Sequence, residues 1–247
     1  MLPPADRSLT RLVTRYSDAS TAVRQRVEQY LRTSWLGLGS WRDTDIDRFV
    51  AQVVPVVQGA QRQMASLTDA YLATVARHVL GQGATVGIPA SALDDLRGVP
   101  MDDVYRRPAS TTYAALAEGD PFTTALTKGL GRLLTIAATD LQLARTHAAV
   151  HAMSADTRIT VYRRVTNGEC CELCDAASDD EYRTSDLMPI HANCSCDVEP
   201  VYGDADPGRM PGGTTSGEDQ GDKPEVRDHG ELGPVLVVAG QQFSEPD

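Results

Sequence analysis

A chain of 247 residues that is 41% hydrophobic but only 5% aromatic has apolar mass for one sizeable core, or for a helical domain plus a smaller module, built on Leu, Val, Ile and Ala. Its formal net charge of −11 and pI near 4.9 argue against a surface made mainly to neutralise phosphates, which needs a basic excess; docking to a basic protein surface stays compatible. The opening Met1-Leu-Pro-Pro-Ala-Asp has neither the basic nor the apolar region of a signal peptide, and no apolar run approaches the roughly 20 residues of a membrane span. The expectation is synthesis in a reducing cytoplasm, with no membrane partner.

Residues 6–31 carry Leu9, Leu12, Val13, Tyr16, Val23, Val27, Tyr30 and Leu31 at intervals mostly of three and four, which predicts one helix with a single apolar face. A turn rich in glycine follows between Trp35 and Trp41, whose rings should pack against a neighbouring helix or a partner. Thr44 is expected to open a second helix, with Asp47 three residues later in an acidic variant of the capping box. Its apolar stripe runs from Ile46 to Val79. Pro55 should kink or split it, and the glycine-rich run 81–87 should end it.

Between 89 and 118 the pattern predicts two short helices, near 91–96 and 110–117, separated by Pro100 and by Arg106-Arg107-Pro108. Asp120 as N-cap with Pro121 at the first helical position starts a long helix to about Met153. Gly129 and Gly131 within it either admit a close neighbour or weaken it. His147 and His151 have the spacing of a two-ligand face, but without an adjacent Glu they read as ordinary surface or rim residues.

After Asp156 the period becomes that of a strand, with Ile159, Val161 and Val165 on one face and Arg163 the one interruption. Residues 197–202 should return beside it as a second strand. The acidic loop 175–186, with Asp179-Asp180-Glu181, reads as a solvated loop rather than an acid–base pair. From Gly203 onward Gly, Pro, Asp, Glu and Ser dominate, and such a segment cannot repay its ordering entropy by burial. Its one β-prone peptide, 234–240, would add as a strand to a partner's sheet edge or remain an apolar patch. The predicted fold class is therefore mostly α. A helical assembly and docking domain (1–155) precedes a small α+β, zinc-knuckle-like Cys/His module with two short strands (156–203) and a disordered acidic tail (204–247).

All five cysteines, Cys170, Cys171, Cys174, Cys194 and Cys196, fall in one stretch with His191. Cys171-x-x-Cys174 aims two thiolates at one point, and His191-x-x-Cys194-x-Cys196 offers a second group of ligands. Four of these suffice for a tetrahedral zinc site of three cysteines and a histidine, or of cysteines alone. Three other readings compete. Disulfides suit small secreted scaffolds, which spread their cysteines across the fold. A redox Cys-x-x-Cys needs a strand-then-helix setting that is not evident here. A Cys–His nucleophile pair needs His191 to meet a thiol. Metal is the favoured reading, with Cys171, Cys174, His191, Cys194 and Cys196 as candidate ligands. Cys170 is the expected bystander, since adjacent side chains point apart and Cys171 has the two-residue gap to Cys174.

The same stretch resembles the C-terminal module of MuF-like minor head proteins, the head-morphogenesis family of tailed bacteriophages, especially those infecting actinobacteria. The resemblance lies in Arg163-Arg164-Val165 leading into Cys171-Glu-Leu-Cys174, then Ala176-Ala177-Ser178, Tyr182, His191-Ala-Asn-Cys194-Ser-Cys196-Asp197 and Glu199-Pro200-Val201-Tyr202. Ala192 and the doubled Cys170-Cys171 depart from the family pattern. The resemblance covers about forty residues. It implies a minor capsid protein of the virion head, associated with the portal, whose partners are the portal and/or major capsid protein.

Among other classes, a capsid maturation protease would pair His191 with a thiol or Ser195. A zinc module contacting packaged DNA would rely on Arg158, Arg163, Arg164 and Arg183, a modest basic face. A toxin carrier is disfavoured, because the segment after Tyr202 is too short and polar to hold an enzyme domain. With no nucleotide loop, nucleophile elbow or triad in the sequence, the expectation is a structural protein and not an enzyme.

Overall fold

Apolar residues recurring every three to four positions produce four long helices, and the strands come after them. The computed structural model describes residues 7–94, 96–166, 171–178, 180–202 and 224–238. The helices are α1 (Arg7–Leu36), α2 (Asp43–Leu80), α3 (Met101–Ala117) and α4 (Phe122–Ser154). They bury Val23, Leu31 and Trp35 of α1, Val53 and Val57 of α2, Val104 and Tyr105 of α3, and Leu133 and Ile136 of α4 in one cluster. The chain is mostly helical with a small strand-containing C-terminal region, as its periodicity predicts. Among the described residues, no helix is long and apolar enough to cross a membrane.

Several boundaries differ from the sequence expectation. α1 continues past Leu31 and takes in Trp35, which is fully buried and donates its indole N–H to the Leu126 carbonyl at 3.1 Å. Trp41 and Phe49 meet the Trp35 ring edge-on at 4.7 and 5.4 Å, so both tryptophans pack as expected. α2 begins at Asp43 behind Arg42, which makes no side-chain cap bond; the anticipated capping box does not form, and Asp47 pairs with Arg106 instead. Pro55 lies inside one helix of 38 residues. Gly81 closes that helix in the left-handed conformation at φ 72°, where the absence of Cβ removes the steric penalty.

The expected break at Arg106-Arg107-Pro108 is also overturned. α3 is continuous from Met101, with Pro100 at its N-cap and the buried Pro108 within it. A proline removes one backbone hydrogen bond, and burial against α4 offsets that loss here. The earlier short helix reduces to a 3-10 turn at Ala90–Ala92. α4 starts one residue later than predicted, with Pro121 rather than Asp120 at the cap, while Asp120 pairs with Lys128 at 2.7 Å. Gly129 is where α4 meets its neighbours. A Cβ there would lie 2.1 Å from Thr112 Oγ1, 2.7 Å from Trp35 Cζ2 and 2.8 Å from the Pro108 carbonyl, whereas at Gly131 it would meet nothing within 4 Å.

After α4 the chain forms β1 (Ile159–Val165), the one-turn helix α5 (Glu172–Ala176), β2 (Glu181–Arg183) and β3 (Asp197–Tyr202). These strands make a sheet in the order β2-β1-β3, antiparallel throughout. The predicted pairing of β1 with the returning β3 therefore holds, and part of the acidic loop adds a third strand. The sheet shares a hydrophobic cluster with the helices. Tyr162, Met188, Ile190 and Val198 pack in it with Tyr16, Tyr71 and Met153.

The expectation that everything after Gly203 is a structureless tail is corrected for residues 224–238. They form a hairpin, β4 (Pro224–His229) with β5 (Gly233–Val238). Leu232, Val235 and Val237 enter the same cluster as the sheet. Val235 makes a parallel bridge to Ile190, with Ile190 N bonded to Pro234 O at 3.1 Å and Leu236 N to Ile190 O at 2.8 Å. The β-prone peptide does add as a strand, but to its own chain. Composition misled because β4 is mostly polar and the burial comes from contacts distant in sequence. Residues 203–223 and 239–247, and with them the rest of the tail expectation, lie outside the described residues.

Candidate metal centre

Two short local structures set the ligand geometry. Cys171 stands at the N-cap of α5, and Asp175 N closes the turn on the Cys171 carbonyl at 3.0 Å. One helical turn places residues three apart on the same face, so Cys171 and Cys174 point together. On the other arm Cys194 N bonds to the His191 carbonyl at 3.0 Å across a tight turn. Asn193 sits at φ 62° in that turn, a conformation that Asn tolerates far better than most side chains.

These arms bring together all five of the sequence-predicted ligands. Cys171, Cys174 and His191 form one group with ligand atoms within 4.8 Å of one another; Cys174, Cys194 and Cys196 form a second, sharing Cys174. His191 Nε2 lies 3.0 Å from both Cys171 Sγ and Cys174 Sγ, and Cys174 Sγ lies 3.7 Å from Cys194 Sγ. A tetrahedral zinc with bonds near 2.3 Å spaces its sulfurs at about 3.8 Å, so the Cys174–Cys194 edge is already right. The two sulfur–imidazole contacts are shorter than the corresponding edge of about 3.5 Å and would open slightly around an ion. Cys171, Cys174, Cys194 and Cys196 are all free of disulfides. Cys170 lies outside the described residues.

Residues that the sequence reading did not assign to the site hold it in place. Arg164, on β1 and 2% exposed, donates from Nη1 to Cys174 Sγ at 3.3 Å and to Cys194 Sγ at 3.6 Å. Its Nη2 bonds the Pro189 carbonyl. From α4, Gln142 Nε2 donates to Cys196 O, and Arg145 Nη1 to both Ser195 O and Cys196 O, each at 3.0 Å. Arg145 also pairs with Asp197 at 2.8 Å and stacks its guanidinium 5.6 Å from the Tyr16 ring centre. The strand pattern marks Arg163 rather than Arg164 as its interruption, but Arg163 is exposed and Arg164 is the buried one. For Gln142 and Arg145 the sequence signal is polarity on the buried face of a helix.

The cluster is electrostatically uneven. Hydrogen bonds from the Cys174 and Cys196 thiols hold Cys194 well below the usual thiol range despite its burial, with His191 and Arg164 adding to the effect. Cys174 draws the Cys196 thiol down, but donation to Cys194 together with burial outweighs this and pushes it up to about 12. Burial lowers the His191 pKa, yet its contacts with Cys194 more than compensate and leave it raised. A thiolate is thus favoured at the centre of the cluster before any ion arrives, which suits metal ligation. Away from the cluster, His147 is lowered by burial and His151 is exposed. Among the described residues neither joins a metal-ligand group.

The fold and site define a helical body that carries a strand-built Cys/His module able to hold a metal ion. No protein-family model, no curated protein and no solved structure matches this chain.

Proposed function

We propose that this chain is a minor head protein of a tailed bacteriophage, a structural component of the virion head at the portal region, made in the host cytoplasm and stapled by one structural zinc. The observation that carries the reading is the gathering of Cys171, Cys174, His191, Cys194 and Cys196 into two ligand groups that share Cys174, packed against the helical body through Gln142 and Arg145. The order Cys-x-x-Cys then His-x-x-Cys-x-Cys, followed by the Glu199-Pro200-Val201-Tyr202 strand, is what resembles the head-morphogenesis family. Zinc suits the site because thiolates and imidazole together select it over the hard cations. The helices would dock to the portal or major capsid protein.

The geometry gives less to a module contacting DNA. Arg158 pairs with Asp156 and Arg163 with Glu199, and Arg164 is buried against sulfur, which neutralises much of the basic face a DNA contact needs. His191 does meet the thiols of Cys171 and Cys174 at 3.0 Å, a contact that serves ligation and is also the one a Cys–His nucleophile pair needs, so a test of cleavage separates the two. The test is mass spectrometry of purified heads from the phage or prophage encoding the chain. The chain should be present with the portal at far fewer copies than the major capsid protein, and its absence from heads would overturn the reading. Loss of capsid-protein cleavage in a folded His191→Ala or Ser195→Ala variant would shift it to a protease.

A further inference from the structure

A metal ion with several thiolates is a concentration of negative charge, and here it would sit between an exposed Cys171 on one side and buried sulfurs on the other. Cys174, Cys194 and Cys196 are 1–2% exposed. Four thiolates around a divalent cation leave two uncompensated negative charges, and three thiolates with a neutral imidazole leave one. Buried charge of that kind persists only when a partner is supplied. Arg145 is already matched to Asp197, Arg163 to Glu199 and Arg158 to Asp156. The guanidinium facing the sulfurs is that of Arg164, with one positive charge fixed against Cys174 and Cys194.

We propose that Arg164 is the charge-balancing residue of a centre made by Cys171, Cys174, His191 and Cys194, with Cys196 outside the metal's coordination shell. This deepens the metal reading and rests on it. Geometry selects the four. His191 touches Cys171 and Cys174, and Cys174 touches Cys194, so these ligands form a continuous chain of contacts. Cys194 contacts both Cys174 and His191, whereas Cys196 meets the cluster through Cys174 and Cys194. With three thiolates, one neutral imidazole, the ion and Arg164, the buried assembly is neutral. A fourth thiolate would leave it charged. Arg164 also fixes the second ligand arm by bonding the Pro189 carbonyl two residues before His191, so one side chain sets both charge and position, as outer-shell partners of metal ligands commonly do.

The experiment uses the reduced full chain loaded with Zn²⁺ and titrated against a chromophoric chelator, with Co²⁺ loading to count thiolates from sulfur-to-metal charge-transfer intensity. Removing Arg164's charge in Arg164→Met should weaken zinc binding by about 10–100-fold. Arg164→Lys, which keeps the charge but not the fork, should bind more tightly than Arg164→Met. Cys196→Ser should keep both the affinity and the three-thiolate Co²⁺ spectrum, and Cys171→Ser should lose one thiolate. Equal affinity for wild type and Arg164→Met would overturn the proposal. So would equal losses in the Lys and Met variants, or a thiolate missing from Cys196→Ser. Failure of the wild-type chain to take up zinc or cobalt would instead refute the metal reading beneath it. Hydrogen exchange at the Ile190 and Leu236 amides, whose bonds join the ligand segment to the hairpin, identifies any variant whose module has lost its fold.

Discussion

Arg107 of α3 and Glu231 of the hairpin turn, 124 positions apart, form a two-pronged ion pair, Nη1 to Oε2 at 2.9 Å and Nη2 to Oε1 at 2.5 Å. Arg97 approaches the same carboxylate at 3.6 Å. The hairpin is therefore held at two places, by these charges at its turn and by β5 on Ile190.

That pair predicts a pH dependence. Burial raises the Glu231 pKa, but the hydrogen bond and charge of Arg107, with Arg97 behind it, outweigh this and leave it lowered. A carboxyl depressed in the folded state contributes stability above its unfolded pKa and loses it as pH falls through the folded value. Hairpin docking should thus hold at neutral pH and weaken below the ordinary glutamate range, about 4.3. Hydrogen exchange at the Leu236 and Ile190 amides measures it. Glu231→Gln should remove most of the dependence.

The two glycines of α4 should behave oppositely. Gly129→Ala drives a methyl into Thr112, Trp35 and the Pro108 carbonyl and should cost about 1–3 kcal/mol, as overpacking does. Gly131→Ala meets nothing and should stabilise by about 0.5–1 kcal/mol through the helix backbone. Denaturant unfolding of both variants checks the difference in sign.

Asp140 should be the costliest carboxylate to remove. It is 2% exposed and accepts Arg97 Nε at 2.6 Å and the Tyr105 hydroxyl at 2.8 Å. Asp140→Ala takes from the buried Arg97 its nearest carboxylate, leaving it the Ile136 carbonyl and the more distant Glu231, a loss of about 3–5 kcal/mol. Tyr105→Phe removes only one charge-assisted hydrogen bond, about 1.5–3 kcal/mol. Equilibrium unfolding that ranked them in the reverse order would contradict this account.

Metal removal should loosen one part of the molecule and spare another. Chelation, or Cys174→Ser, should raise hydrogen exchange across residues 171–196 while the α2–α4 packing stays protected, because Val53, Tyr105, Leu133 and Ile136 sit in a separate cluster. Cys170→Ser should do little.

The legible parts of this chain were those whose cause is local. The three-to-four spacing of Val23, Val27 and Leu31 specified a helix face directly, and the Cys and His spacings specified which ligands could converge. Pro108 was misjudged because a breaker's cost is local while the burial offsetting it is not. The hairpin was missed because Glu225, Arg227 and Asp228 hide a strand whose partner β5 is secured at Ile190, far upstream. Arg164 was hidden because the alternation set Arg163 on the apolar face instead, and no pattern along one strand discloses sulfur atoms supplied by two later segments.

The Ile190–Val235 bridge also imposes an order on synthesis. The four helices leave the ribosome early and can begin to pack, since domains generally consolidate from the N-terminus. Ile190 and Met188 are 1% exposed in the finished fold and share their cluster with Leu232 and Val235, which are translated afterwards. At ~5–20 residues per second, the nascent chain carries the ligand loop without its apolar cover for several seconds. During that interval Cys174, Cys194 and Cys196 lack the apolar neighbours that bury them in the finished fold, and arrival of the hairpin supplies these.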